Sequence, residues 1–492
     1  MAERILILGA GITGLCAAMA LAGRGREIVV LDRDPPPPDL DPDEAFAHWS
    51  RRGVTQLRHS HVFIGRLIAL LRARQPALWD ALLASGARES AFADALPPKL
   101  RATYRSAPGD EALSFLFSRR STLELVMRRH AEGLRDVTFV TDAFVAGPLF
   151  ARREGALVLE GVRGARAGEA ATWRADAVID AMGRTSAFPE WLAAEGAPPL
   201  EESSPAGILY FTRHYRLLDG AEEPPRGLTP GAGDLGYLKY GVFIADNRHF
   251  SVTLACPEIE TALRVALPRA DVFDAVCARL PGVSPWTDVA RAAPVSKVFA
   301  MGALKNAWRR FSVDGAPVAR GYFPLGDAAV RTNPLYGRGC STGAIQAFLL
   351  GDIFSETADP VARLTLLETR VEAEIRPFFD AMVRQDAAAI RRAAREQKPD
   401  GRRPRWQARL AKSFVEDAIG PATRGDLVVL RALMRPFHML EHPTAWMRRP
   451  EVMVRILMVW ARGRAEKADL YPPPLGPARK DLLADLGLPA AT

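Results

Sequence analysis

Cysteine is scarce: Cys16, Cys256, Cys277 and Cys340 are the only four in 492 residues. They show no metal-ligand spacing, and so few thiols in so long a chain point to a reducing compartment. Histidine is thin as well, at eight residues. His59 and His61 are too close for a helical metal pair and no third ligand is evident, so no metal is expected. No apolar run is long enough to span a bilayer. A strand-like segment starts almost at Met1, leaving no room for a signal or transit peptide. The expectation is a cytoplasmic chain of two or three domains. Charge of both signs is plentiful, with 65 Lys and Arg against 57 Asp and Glu, for a net +8. No nucleic-acid motif accompanies this scattered Arg excess, so nucleic acid is not an expected partner. Nothing specifies an oligomeric state.

What is present is concentrated first between Arg4 and Arg33. Ile5 to Leu8 is an apolar run of strand length, followed directly by Gly9-Ala10-Gly11-Ile12-Thr13-Gly14. Leu15, Ala18 and Leu21 recur at helical spacing, Gly25 is read as the stop, and Ile28 to Leu31 is a second buried strand closed by Asp32. Strand, glycines, helix, strand and terminal acid in register predict a βαβ dinucleotide site. Gly9 allows the turn, Gly11 lets backbone N–H groups approach a pyrophosphate, and Gly14 lets helix and strand pack closely. The helix N-terminus presents its positive end to phosphates, and Asp32 can accept hydrogen bonds from both hydroxyls of an adenosine ribose.

Pro35 to Pro38 and the acids that follow read as a surface excursion. Arg51 to His61 then leads into an amphipathic helix marked by Val62, Leu67, Leu70 and Leu71. His59 and His61 read as hydrogen-bonding loop residues near a cofactor. A helix opens near Ser118 to Glu124, with Ser118 or Ser121 as its cap. Val137 to Val145 reads as one strand, Leu157 to Val162 and Ala171 to Trp173 as an antiparallel pair, and Ala177 to Asp180 as a buried strand. From Gly207 to Cys256 the period becomes two, the mark of an antiparallel sheet. A strand ending at Gly326-Asp327 sets a carboxylate where it can bind polyol hydroxyls. A glycine-rich loop from Asn333 to Ser341 then feeds a helix from about Thr342. After about residue 360 the chain reads helical, with an Arg- and Pro-rich break near Lys398 to Arg405.

Together these segments resemble the group A flavoprotein monooxygenases of the para-hydroxybenzoate hydroxylase fold, over Met1 to about Asp352. Their fingerprints occur in order: Gly9-x-Gly11-x-x-Gly14 with Asp32, the Asp180 to Ser186 segment, and Gly326-Asp327 with Pro334 and Gly337-x-Gly339. The resemblance implies an α/β fold. Its Rossmann-like FAD-binding domain is discontinuous, over 1–75, 115–200 and 295–355. An inserted antiparallel-sheet substrate domain occupies 76–114 and 201–294, and a helical region 356–492. The implied FAD contacts are Gly9, Gly11, Ile12, Thr13, Gly14, Asp32 and Arg33, with Arg120 at the pyrophosphate and Val145 by the adenine. Asp327 would bind the ribityl chain. Pro334, Gly337 and the N–H groups of Gly339, Cys340 and Ser341 would lie by the flavin ring. The loops around Gly53 to His61 and Asn333 to Gly337 look closest to the alkene epoxidases of polyether biosynthesis, with squalene epoxidase more distant. Met182-Gly183 stands where the family carries Asp-Gly, so electrons are expected from NAD(P)H docked differently or from a partner flavin reductase.

The implied activity is transfer of one oxygen atom from O2, through the flavin C4a-hydroperoxide, to a small lipophilic substrate in secondary metabolism, by epoxidation or hydroxylation. Such transfer needs proximity and a dry pocket more than an acid–base pair, so no catalytic residue is assigned. The pocket candidates are Tyr210, Arg213 and Tyr240, beside Phe211, Tyr237 and Phe243; each reads equally as sheet packing. A flavin dehydrogenase or reductase of an isoprenoid-like or polyketide substrate is the competing enzyme class. A halogenase lacks support because its Trp-x-Trp-x-Ile-Pro segment is absent. Between Leu427 and Arg464, Met434, Met439, Met447, Met453 and Met458 alternate with arginines. These residues form either helices packed on the FAD domain or a surface with weak peripheral affinity for acidic membranes.

Overall fold

The computed structural model describes residues 2–225, 230–397 and 406–489. At its centre five parallel strands lie in the order Tyr322–Pro324, Ala177–Asp180, Arg4–Leu8, Glu27–Leu31 and Val137–Val140. Ile5 to Leu8, Ile28 to Leu31 and Ala177 to Asp180 are buried along their whole length. That is why they read as unbroken apolar runs rather than alternating ones. Leu8 lies opposite both Leu31 and Asp180, and Asp180 opposite Pro324. The strands therefore end on one line, and Gly9, Asp32, Ala181 and Leu325 leave the sheet along the same carboxyl edge. Ligands of open α/β sheets bind at that edge.

The first helix, Ile12–Leu21, ends at an Ala22 cap. Gly25 is thus not its stop; Gly23 and Gly25, both with positive φ, shape the turn beyond it. The proline-rich excursion holds an unexpected helix, Pro42–His48, whose first amides are capped by the Asp41 carboxylate. The amphipathic helix spans Gly65–Arg74. Val137 to Val145 divides into Val137–Val140 and Ala143–Arg153, separated at Asp142, where φ is +53°. Ala143–Arg153, Ala156–Arg166 and Glu169–Arg174 form an antiparallel meander. The last fingerprint helix starts at Gly339 and runs to Glu356, three residues ahead of the expectation.

A six-stranded sheet built around Ile208–Leu217, Lys239–Ile244 and His249–Pro257 faces the carboxyl edge. Its second side is covered by Leu263, Phe273, Val276 and Leu280, and by Leu482 and Leu483 from the helix Arg479–Asp485. A 38-residue helix, Pro360–Gln397, lays Leu364, Leu367, Val371, Ile375 and Phe379 on the core of the parallel sheet. Beyond it, helices Leu427–Phe437 and Pro450–Ala461 close a small core of Val429, Ala432, Val452 and Ile456. The Arg- and Pro-rich break at 398–405 lies outside the described residues.

One buried carboxylate ties the six-stranded sheet to a helix of the nucleotide fold. The helix Arg120–Glu132 begins without a cap from Ser118 or Ser121; Arg119 is its N-cap residue, and Asp246, in the turn between two strands of the six-stranded sheet, supplies the acceptor. Asp246 takes hydrogen bonds from the Arg119 amide at 2.5 Å, Arg119 Nε at 3.0 Å and Thr122 Oγ1 at 2.8 Å. Burial alone would raise its pKa, but these bonds and the Arg119 charge hold it below the ordinary carboxylate value. Asp246→Ala leaves a buried guanidinium without its main partner and should cost about 3–5 kcal/mol. Asp246→Asn, which keeps part of the hydrogen bonding, should cost less. Chemical denaturation of the two variants beside the parent measures both, and equal stability of all three would refute the role.

Candidate active site

A cavity of about 600 Å³ runs along the carboxyl edge of the parallel sheet to the wall of the six-stranded sheet. It brings together Gly9, Gly11, Ile12, Thr13, Asp32, Arg33, Arg120, Val145, Asp327, Pro334, Gly337, Gly339, Cys340, Tyr210 and Tyr240. Three expected residues stand apart from its lining. Gly14 faces the sheet, where a Cβ would collide with the Gly9 carbonyl. Ser341 is buried in the first turn of its helix. Arg213 points to the opposite face of its strand and is paired with Asp274. Since side chains on a strand alternate, Tyr210 and Thr212 face the cavity, while Phe211 and Arg213 cannot. Phe243 also lines the cavity, whereas Tyr237 does not; its hydroxyl donates to the Pro477 carbonyl, and that of Tyr240 to the Leu475 carbonyl, so Tyr240 meets the cavity only along its strand while its ring packs on the far face.

At one end lies Asp32, 4% exposed. Its Oδ2 accepts from the Ala10 amide at 3.0 Å and from Arg51 Nη2 at 2.8 Å, and its Oδ1 from the Asp34 amide at 2.9 Å. A carboxylate offers roughly four acceptor positions, so Asp32 keeps capacity for about one ribose hydroxyl rather than two. Arg51, which carries no motif signal, holds this group together. It pairs with Asp32, with Asp34 at 3.1 Å and with Glu124 at 2.8 Å, over the face of Trp49. Burial works against its charge, but Glu124, Asp32 and Asp34 outweigh it and raise its pKa.

Two helix N-termini meet in the middle of the cavity. Leu15 donates to Gly11 O and Thr342 to Arg338 O. The amides ahead of them, Ile12 to Gly14 and Gly339 to Ser341, are those a helix leaves without internal acceptors. Arg120 is held between Glu124 Oε2 and His61 Nε2, both at 3.3 Å. The Asp327 carboxylate accepts no hydrogen bond from a described residue, and burial raises its pKa against the pull of Arg331, Arg120 and Arg184. Cys340 lines the cavity as well. Burial pushes its thiol up to about 11, so its thiolate is not available at neutral pH and its backbone amide is the useful group.

The second fingerprint is organised by Asp180, which is fully buried. It accepts from Tyr322 Oη at 2.9 Å, the Met182 amide at 3.0 Å and Ser186 Oγ at 2.5 Å. Met182, Gly183 and Arg184 follow it into the cavity lining. Asn333, also missed in the sequence, orders the adjoining loop. It accepts from Tyr210 Oη at 2.6 Å and the Leu335 amide at 3.0 Å, and donates to Asp386 on the long helix at 3.0 Å. Beyond this loop the wall turns apolar, with Phe243, Met301, Leu304 and Leu335, interrupted by His59, Thr212 and Thr253. Among the described residues no group of His, Cys, Asp and Glu can hold a metal.

Free amides for phosphates, an acid for a ribose and an unpartnered acid for a polyol fit FAD along the length of the cavity. A Cβ on Gly11 would meet nothing within 4 Å, so backbone there is open to a ligand. Residues 4–215 match the FAD dependent oxidoreductase family. Protein Rv3254 of Mycobacterium tuberculosis is 28% identical over 367 residues, 70% of this chain and 71% of its own. The flavin-dependent brominase Bmp2 shares the fold with a TM-score of 0.56 at 14% identity, over 84% of this chain and 93% of that one. The p-nitrophenol 4-monooxygenase PnpA from Pseudomonas putida DLL-E4 does so with a TM-score of 0.56 at 16% identity, over 89% and 98%. The match over residues 4–215 makes FAD the cofactor, and the fold is shared with flavin monooxygenases. Asp327→Ala should weaken FAD binding by about 1–3 kcal/mol through loss of a charge-assisted hydrogen bond. Flavin fluorescence titration of the apoprotein measures this, and unchanged affinity in a folded variant would refute the contact.

Proposed function

We propose that the chain is a flavin-dependent monooxygenase that inserts one oxygen atom of O2 into a lipophilic organic substrate, by epoxidation or hydroxylation, in secondary metabolism. One observation carries this reading: a single cavity runs from the dinucleotide end at Gly11 and Asp32, past Asp327, to the apolar wall of Phe243, Met301 and Leu304. FAD, when bound and reduced, supplies the activation of O2. The chain supplies position and dryness. The amides of Gly339 to Ser341 favour negative charge at one edge of the ring site. The loop fixed by Asn333 and Asp386 sets the boundary between cofactor and substrate, and the apolar wall excludes water. Met182 cannot replace the two acceptor oxygens of an Asp, so electrons come from NAD(P)H docked elsewhere on the chain or from a partner flavin reductase.

Incubated with ¹⁸O2 and a panel of lipophilic alkenes and phenols, reduced holoenzyme should give a product carrying a single ¹⁸O atom by mass spectrometry. A product that has lost two hydrogens and gained no oxygen would replace oxygen transfer by dehydrogenation.

A surface at the C-terminal helices suits delivery of such a substrate. Val454, Leu457 and Met458 form an exposed stripe at helical spacing on Pro450–Ala461, the side away from buried Val452 and Ile456. The neighbouring helix Trp406–Ser413 exposes Trp406 and Leu410, and its extension joins the first through the Phe414–Trp460 ring contact at 5.3 Å. Met439 is buried and Met434 packs inward, which leaves Met447 and Met458 as the exposed methionines of the series. Arg409, Arg448 and Arg462 are exposed and have no ion pair among the described residues, while Glu416 and Glu451 oppose them. No helix among the described residues is long and apolar enough to cross a membrane. Weak, salt-sensitive co-sedimentation with acidic lipid vesicles is expected, reduced in Leu457→Ser. Absence of binding at low salt would leave these helices as scaffold.

A further inference from the structure

The loop bearing His59 and Ser60 meets the six-stranded sheet through a continuous line of side-chain hydrogen bonds. His59 Nδ1 lies 3.2 Å from Thr212 Oγ1, which lies 2.9 Å from Thr253 Oγ1. Thr253 donates to Ser60 Oγ at 2.7 Å, and Ser60 Oγ lies 2.7 Å from Ser251 Oγ. A hydroxyl has one hydrogen to donate. Thr253 uses its hydrogen on Ser60, so Thr212 must donate to Thr253. Thr212 then has none left for His59, and His59 Nδ1 must carry the proton and donate to Thr212. Proton counting along the line therefore fixes the tautomer, with the lone pair on Nε2.

That lone pair has no donor among the described residues, although His59 is only 8% exposed. His59, Ser60, Thr212 and Thr253 all line the cavity, beside Phe243 on the same face of the six-stranded sheet. Burial, with the charge of Arg184, lowers the imidazole pKa to about 4, so the ring is neutral and the lone pair is free at neutral pH. The acceptor faces the cavity without a protein partner, so a ligand that brings a donor can use it.

We propose that His59 Nε2 accepts a hydrogen bond from an O–H group of the substrate, so that the enzyme takes lipophilic phenols or alcohols in preference to bare hydrocarbons. The proposal rests on the reading of the cavity as an oxygen-transfer site and narrows its substrate class. The chemistry recognised is a hydrogen-bond donor. The alternative source of one is a ring N–H of the cofactor, which the experiment separates.

The test is binding to holoenzyme, read from perturbation of the flavin absorbance, with matched ligands: naphthol and naphthalene, octylphenol and octylbenzene, decanol and decane. The parent should prefer the hydroxylated partner of at least one pair by about five- to tenfold, the worth of one hydrogen bond. His59→Leu should lose that preference while FAD affinity and hydrocarbon affinity stay unchanged. His59→Gln, whose amide oxygen can reach the Nε2 position, should keep part of it. Thr212→Val, which removes the acceptor for Nδ1–H and frees the tautomer, should lose part of it. The proposal is overturned by no preference in any pair, by a preference that survives His59→Leu, or by a fall in FAD affinity in that variant. Because binding needs no turnover, the hydroxyl preference stands or falls apart from the ¹⁸O experiment.

Discussion

At Gly343 a Cβ would collide with Thr13, and at Gly351 it would stand 2.7 Å from the Ala20 carbonyl. At these two points the helices Ile12–Leu21 and Gly339–Glu356 touch almost backbone to backbone, though more than 300 residues of chain separate them. Only because these two positions of the second helix carry no Cβ can the pair run so close. The closeness lets both N-termini open on the same few ångströms of the sheet edge. With FAD bound, one set of free amides would face its dinucleotide end and the other its ring end. If either glycine carried a larger side chain, the helices would part and the two anion sites would fall out of register.

The charges around this edge follow from the same crowding. Asp32, Asp34 and Glu124 are all buried beside Arg51, and Glu124 also meets Arg120. Burying so many charges is expensive, and pairing offsets the expense only when geometry and hydrogen bonding are good. Here the pairing spares Asp32 one free acceptor position and keeps Arg120 turned toward the cavity. Asp327, in contrast, has no hydrogen-bond donor among the described residues. The structure thus distinguishes acids satisfied by protein from an acid left for a ligand.

Much of this was legible in the sequence because it is local. The apolar runs at Ile5, Ile28 and Ala177 announce strands buried on both faces, and each is followed by the glycine or acid that its position at the sheet edge requires. Helix boundaries were less accurate, since the Gly339 helix starts on residues that composition assigns to a loop. Arg213 is instructive, because period two already forbids it the face of Tyr210; the misreading lay in treating a strand as though both faces met the ligand. Arg51, Asn333 and Asp246 were invisible for a different reason. Their partners lie on distant segments, and no local pattern marks a residue whose role is to satisfy another. The line from His59 to Ser251 is of this kind, assembled from three separate stretches of chain.

The long helix Pro360–Gln397 touches both sheets. Its first half is pinned to the parallel sheet by Leu364, Leu367 and Ile375, and by Arg363 against Glu3. Its second half meets the other sheet at Ile390 beside Gly207 and Arg392 beside Asp234, and carries Asp386 to Asn333 and Tyr336. Pro377 interrupts the hydrogen-bond ladder between these halves, the place where a helix bends most easily. The helix thus works as a brace: one continuous element, seated on the parallel sheet by its first half, carries Asp386 to the loop of Asn333 and Tyr336 with its second half. The position of that loop is therefore referred to both sheets at once.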